Sequence, residues 1–204
     1  MNFTRSLKYP FQDSDWLTKL IVGGLLNLVP VANLLSAGFS LEAMRMGTQG
    51  HEKLPEWENW LDKFVLGLMG AIISVIYSLI PIILMTAGGL GSDGATGAGL
   101  LLGTMALFLV AFLMPMIMAN YVARQQFGAA FSLGEVFDHL KVVLGDFIVA
   151  WVLAIVIAFF MFLVMFIPIV GWIIALFAGF YIQVVFANIF GQLYYQGSLP
   201  AEEN

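Results

Sequence analysis

Apolar positions in this chain run in blocks rather than in the stripes of surface helices. The uncharged stretches are Leu20 to Leu41, Phe64 to Ser92, Gly94 to Ala123 and Phe147 to Ala201. A crossing helix needs about 20 apolar residues. Each of the two middle stretches therefore predicts one crossing. The last has 55 residues, so it predicts two crossings, with Pro168 and Gly171 marking the turn. The first is long enough for one crossing but is interrupted by Gly23, Gly24, Asn27, Pro30, Asn33, Ser36 and Gly38. Pro30 removes a backbone donor and disfavours helix at Val29. A re-entrant helical hairpin turning near Pro30 fits this stretch better than a single crossing. Its arms, at 1.5 Å per residue, reach only about 20 Å. Backbone that turns at such depth must be covered by protein or reached by water.

Amphipathic segments precede the long blocks. Leu54, Trp57, Leu61, Phe64 and Val65 follow helical spacing, with Glu58 and Asp62 opposite. Ser132 and Glu135 have the spacing of a capping box. Beyond them, Leu133, Val136, Phe137, Leu140 and Leu144 share one face. These segments predict helices lying in the headgroup layer. Trp16, Trp57, Trp60 and Phe137 are the expected interface anchors, since an indole buries its ring while its N–H stays wet.

A short pattern recurs at the mouth of three apolar segments. Lys19-Leu-Ile-Val-Gly23, Lys63-Phe-Val-Leu-Gly67 and Lys141-Val-Val-Leu-Gly145 each read Lys, three apolar residues, Gly. Ala119-Asn120 and Ala187-Asn188 form a second matching pair. The expected fold is an all-α polytopic integral membrane protein with three repeats of interfacial helix plus helical hairpin. The first hairpin is re-entrant, and four full transmembrane helices follow. One membrane domain covers residues 1–204. Its units are 1–50, 51–127 and 128–197, with a tail at 198–204.

Charge orients this scheme. All eight Lys and Arg residues fall in segments on one side of it, at Arg5, Lys8, Lys19, Arg45, Lys53, Lys63, Arg124 and Lys141. The positive-inside bias makes that side cytoplasmic, with both termini there. Composition agrees: 61% of residues are apolar, 10% are charged and mean hydropathy is +0.94. Soluble domains carry about a quarter charged residues. No basic run is present, which argues against nucleic acid as a partner. The chain has no cysteine, so thiolate metal sites, disulfides and a cysteine nucleophile are excluded. Met1 to Asp15 shows no signal-peptide pattern.

Candidate chemistry is sparse. Glu135 and His139 sit at i and i+4, but zinc needs three or four ligands, and a solvated His–Glu pair is the better reading. Glu52, Glu56, Glu58 and Asp62 read as a charged helix face. Gly89-x-Gly91-x-x-Gly94 matches a dinucleotide fingerprint in letters only, since that motif needs a preceding strand. The expectation is a protein without catalytic residues, metal or cofactor. Polar residues inside the apolar blocks are mild, and Asn27, Asn33, Asn120 and Asn188 are the candidate intramembrane polar contacts. Hydrogen bonding between helices is their expected role. Gly67, Gly70, Ala71 and Ser74 permit close helix approach.

Lys8-Tyr9-Pro10-Phe11, Trp16, Gly23-Gly24, Pro30, Gly38, Glu42, Arg45, Gly47 and Leu54-Pro55-Glu56-Trp57 resemble an uncharacterised family of prokaryotic membrane proteins, domain of unknown function 4013. The resemblance is specific over residues 6–60. It implies a polytopic protein of a bacterial or archaeal inner membrane and supplies no activity. The functional expectation is a non-enzymatic membrane scaffold that self-associates or joins a membrane complex, with lipids as its other partners, and that shapes the bilayer. The alternative is a channel or transporter for a small neutral or weakly polar solute, which requires a polar path lined by the asparagines.

Overall fold

The long apolar blocks form the long helices of an all-helical bundle. The computed structural model describes residues 3–89 and 93–199. The helices are α1 (Phe3–Lys8), α2 (Trp16–Asn27), α3 (Asn33–Gly47), α4 (Trp60–Gly89), α5 (Asp93–Arg124), α6 (Leu133–Val164) and α7 (Val170–Ser198). Short 3-10 helices occupy Tyr9–Gln12 and Phe127–Phe131. No strand occurs among the described residues. Helices α4, α5, α6 and α7 are each long and apolar enough to cross a membrane. Their outward surfaces are apolar, with Ile80, Phe108, Ile155 and Phe160 among the exposed side chains. Lipid is the solvent that such a surface requires.

The chain turns at Pro30 between α2 and α3 and at Pro168 between α6 and α7, as the proline positions predict. The two turns share a backbone course. Leu28 and Val29 donate to the carbonyls of Leu25 and Leu26, and Phe166 and Ile167 donate to those of Leu163 and Val164. Asn33 closes back on Val29 at 3.0 Å, and Gly171 closes back on Ile167 at 2.9 Å. The residue after each proline, Val31 or Ile169, has positive φ (72° and 64°). The Val170 N–H donates to the Pro168 carbonyl at 2.7 Å, closing a γ-turn around Ile169. A β-branched residue adopts this conformation only under strain.

The arms differ. Helix α2 has 12 residues and α3 has 15, against 32 in α6 and 29 in α7. The first hairpin is therefore about 18–22 Å long. It lies against α7 and α4. Gly23 faces the Phe180 ring and Gly24 faces Phe177, while Gly38 and Gly67 let α3 and α4 touch through backbone. A Cβ at Gly38 would collide with the Lys63 carbonyl, and one at Gly67 with that of Leu34. The core is built on these contacts, with Phe39, Phe180, Ile73 and Phe147 fully enclosed.

Three expectations need correction. Residues 51–59 form an extended strap, not an interfacial helix, and α4 begins at Trp60. Pro55 disfavours helix at Leu54, and both residues are buried. The amphipathic segment after Ser132 is continuous with the long apolar helix α6 rather than a separate element. Ser132 does cap α6 by position, but its side chain makes no capping hydrogen bond. The equivalence of the three Lys-x-x-x-Gly copies also fails. Lys19 and Lys63 are buried, Lys141 is exposed, and nothing approaches Gly145. Residues 90–92 of the Gly89–Gly94 motif and residues 200–204 of the tail lie outside the described residues.

Candidate functional site

Polar chemistry gathers where α3 ends and α4 begins. The Lys63 ammonium is 3% exposed and contacts a Glu42 carboxylate oxygen at 2.6 Å. It also donates to the Glu58 carbonyl at 2.9 Å. Arg45 approaches the other Glu42 oxygen at 3.5 Å. A parallel cluster holds the start of α2. Lys19 Nζ lies 2.7 Å from both Asp13 and Glu56. Trp57 donates its indole N–H to the Lys19 carbonyl at 2.9 Å and stacks on Phe39. Burial pushes the Asp13 carboxyl up, but hydrogen bonds from Lys19 and from the Asp15 N–H outweigh it and hold it below its ordinary value. Arg5 pairs with Glu52 at 2.7 Å. Glu52 and Glu56 are thus ion-pair partners along the strap, not one face of a helix.

The two buried asparagines bind backbone. Asn188 on α7 donates to the carbonyls of Ala43 (2.9 Å) and His51 (3.0 Å), and its oxygen accepts from Gln192. It therefore ties α7 to the end of α3 and to the strap. Asn120 on α5 donates to the Ala129 carbonyl at 2.8 Å and accepts from the Tyr194 hydroxyl at 2.7 Å. Both asparagines have every polar atom engaged inside the protein. Asn27 and Asn33 flank the Pro30 turn and are half-buried and exposed respectively. The structure does not bring the four together.

His139 is half-buried. Its ring packs edge-on against Tyr194, and Nδ1 is buried without a hydrogen-bond partner among the described residues. Glu135 instead pairs with Arg124 at 3.0 Å. No group of three or more metal-ligating His, Asp or Glu residues occurs among the described residues. Of the expected anchors, Trp60 and Phe137 are exposed, Trp16 is half-buried against Phe11, and Trp57 is drawn into the Phe39 stack. The N-terminal segment lies along α7, with the Tyr181 hydroxyl donating to the Leu7 carbonyl and Tyr9 almost fully buried.

Gly38, Glu42, Gly47 and Trp57, which carried the family resemblance, all sit at this polar root or its backbone contacts. The model of a protein family of unknown function, DUF4013, matches residues 21–170. The chain belongs to this family. No curated protein and no solved structure matches it. The match runs well past the segment on which the resemblance rested. It takes in the strap, the whole of α4, α5 and α6, and the Pro168 turn, so the family covers both proline turns and the helices between them.

This DUF4013 chain also holds an open cavity of about 560 Å³ inside the bundle. Its walls come from α3, α4, α5, α6 and α7, and most of the lining is apolar. Sequence reasoning marked Gly67, Gly70, Ala71 and Ser74 as packing surface, and they do form one wall. It did not foresee a cavity, because small residues close a gap or leave one depending on what stands opposite.

Proposed function

We propose that this protein is a non-enzymatic scaffold of a prokaryotic inner membrane. Helices α4 to α7 cross the bilayer, and α2–α3 enters it as a re-entrant hairpin. The ion-paired root and both termini face the cytoplasm. The protein works by self-association or as a subunit of a membrane complex. The observation that carries this reading is that the buried polar groups at the root hold helices together. Lys19, Lys63, Asn120 and Asn188 each satisfy a carbonyl, a carboxylate or a hydroxyl of the protein itself. The family assignment supplies no activity of its own.

Topology and assembly are both open to test. The chain has no cysteine, so single cysteines report cleanly. Cysteine at Thr4 should react with an impermeant maleimide only after the cells are permeabilised. Cysteine at Gly97, where nothing stands within 4 Å, should react in intact cells. The purified protein in mild detergent should run as a multiple of its 22.4 kDa mass or with a stoichiometric partner. A monomer without effect on liposome shape would overturn the scaffold role. The cavity favours a second reading, a carrier for a small neutral or weakly polar solute. Uptake of such a solute into proteoliposomes would decide for it.

A further inference from the structure

The hydrogen-bond inventory of the cavity is unbalanced. Ser40 and Ser74 donate to carbonyls of their own helices at 3.0 and 2.9 Å. Trp151 donates to the Phe112 carbonyl at 3.2 Å. Those lining groups are therefore spent. Gln183 is not: it stands on α7 at the open side of the cavity, is exposed, and makes no hydrogen bond to any described residue. On the α5 wall, Pro115 follows Ala111 by one turn, and both line the cavity. Proline lacks the N–H that would pair with the Ala111 carbonyl, so that acceptor loses its regular helical donor. An amide without a partner on a wall that faces hydrocarbon is costly.

We propose that the cavity binds a neutral lipid-soluble alcohol. Its hydroxyl accepts from the Gln183 amide and donates to the carbonyl that Pro115 releases. Its apolar body lies along the Gly70–Ala71 wall. A hydroxyl is the smallest neutral group that both donates and accepts. A charged head is disfavoured, because no ionisable residue lines the space. The volume is within the range of small-molecule sites. This inference needs the bilayer placement of α4 to α7 but not the scaffold role.

The test is photo-crosslinking of the full-length protein in nanodiscs with a hexadecanol that carries a diazirine in its chain. Peptide mapping should place the adducts on cavity residues such as Met114 and Met118. Unlabelled hexadecanol should compete, and hexadecane should compete about ten- to a hundredfold less well, since it forgoes both hydrogen bonds. Gln183→Leu should shrink that difference to about three- to tenfold, the range for one hydrogen bond in a membrane interior, while leaving the elution profile unchanged. Ala71→Trp, or Ala111→Phe from the opposite wall if the first does not fold, should remove the adducts. Adducts spread over the outward faces of α4 to α7, or insensitive to both filling variants, would mean surface lipid only and overturn the proposal. Equal competition by alcohol and alkane would overturn the proposal, and an unchanged difference in Gln183→Leu would overturn the role of Gln183. Neither failure bears on the oligomeric state, so the scaffold reading stands or falls separately.

Discussion

The α2–α3 and α6–α7 hairpins turn on the same backbone course and are finished differently. Each bends before a proline, passes through a β-branched residue at positive φ and closes back four residues later. The longer hairpin has one free arm: α6 packs along α7 and much of it faces outward, while α7 also carries α3. The shorter one is clamped. Four of its glycines, Gly23, Gly24, Gly38 and Gly47, lie against α7 or α4, and its ends are held by Lys19, Glu42 and Lys63. Arms of this length bury too little between themselves to stand alone. The turn is thus a reusable local device, and whether a hairpin crosses or stays clamped depends on what surrounds its arms.

The comparison is broken most strongly at the clamp. Gly38→Leu should destabilise by more than about 3 kcal/mol, since the new side chain meets backbone that cannot move aside. Gly179→Leu on α7, where nothing stands within 4 Å, should be nearly neutral. Unfolding in mixed micelles measures both. Next come the lysines. Lys63→Met leaves Glu42 only the longer Arg45 contact and should cost about 1.5–3 kcal/mol, whereas Lys141→Met removes an exposed pair and should change stability by under about 0.5 kcal/mol. Equal effects would restore the three-fold repeat. A smaller gain tests whether the tips are equivalent. Val31→Gly and Ile169→Gly should each stabilise by about 1 kcal/mol through relief of the same strain. Opposite signs would show that the shared course is superficial.

The smallest effect concerns pH. Asp13 is held below its ordinary value of 3.8. A lowered carboxyl contributes stability that is fully present above that value and fades as pH falls through its folded value. The hairpin root should therefore loosen only below about pH 4. Asp13→Asn should remove that acid-sensitive step in tryptophan fluorescence.

What the sequence disclosed follows from the range of each interaction. The long spans and both proline turns were legible because hydropathy and the missing proline N–H act locally. The clamp was half legible: Gly67 reads as a close-approach residue, yet nothing in Lys63-Phe-Val-Leu-Gly67 separates it from Lys141-Val-Val-Leu-Gly145. The difference is the partner, since α3 stands opposite the first and open surroundings lie beside the second. The strap misled for a related reason. Leu54, Trp57 and Leu61 keep helical spacing, but Pro55 and the positive φ of Asn59 mark a chain pinned by Arg5, Lys19 and Phe39. His139 was read as fully solvated because Tyr194, which covers one side of its ring, lies far along the chain.

The packing of α1, α2 and α3 onto α7 imposes an order on biogenesis. A ribosome delivers the N-terminal hairpin first, but the surface that covers its glycines emerges last. Until the final helix is released, the early hairpin has only α4 and part of α5 beside it, so a nascent chain stalled after α5 should be open to proteolysis at the ion-paired root and settle only when translation resumes.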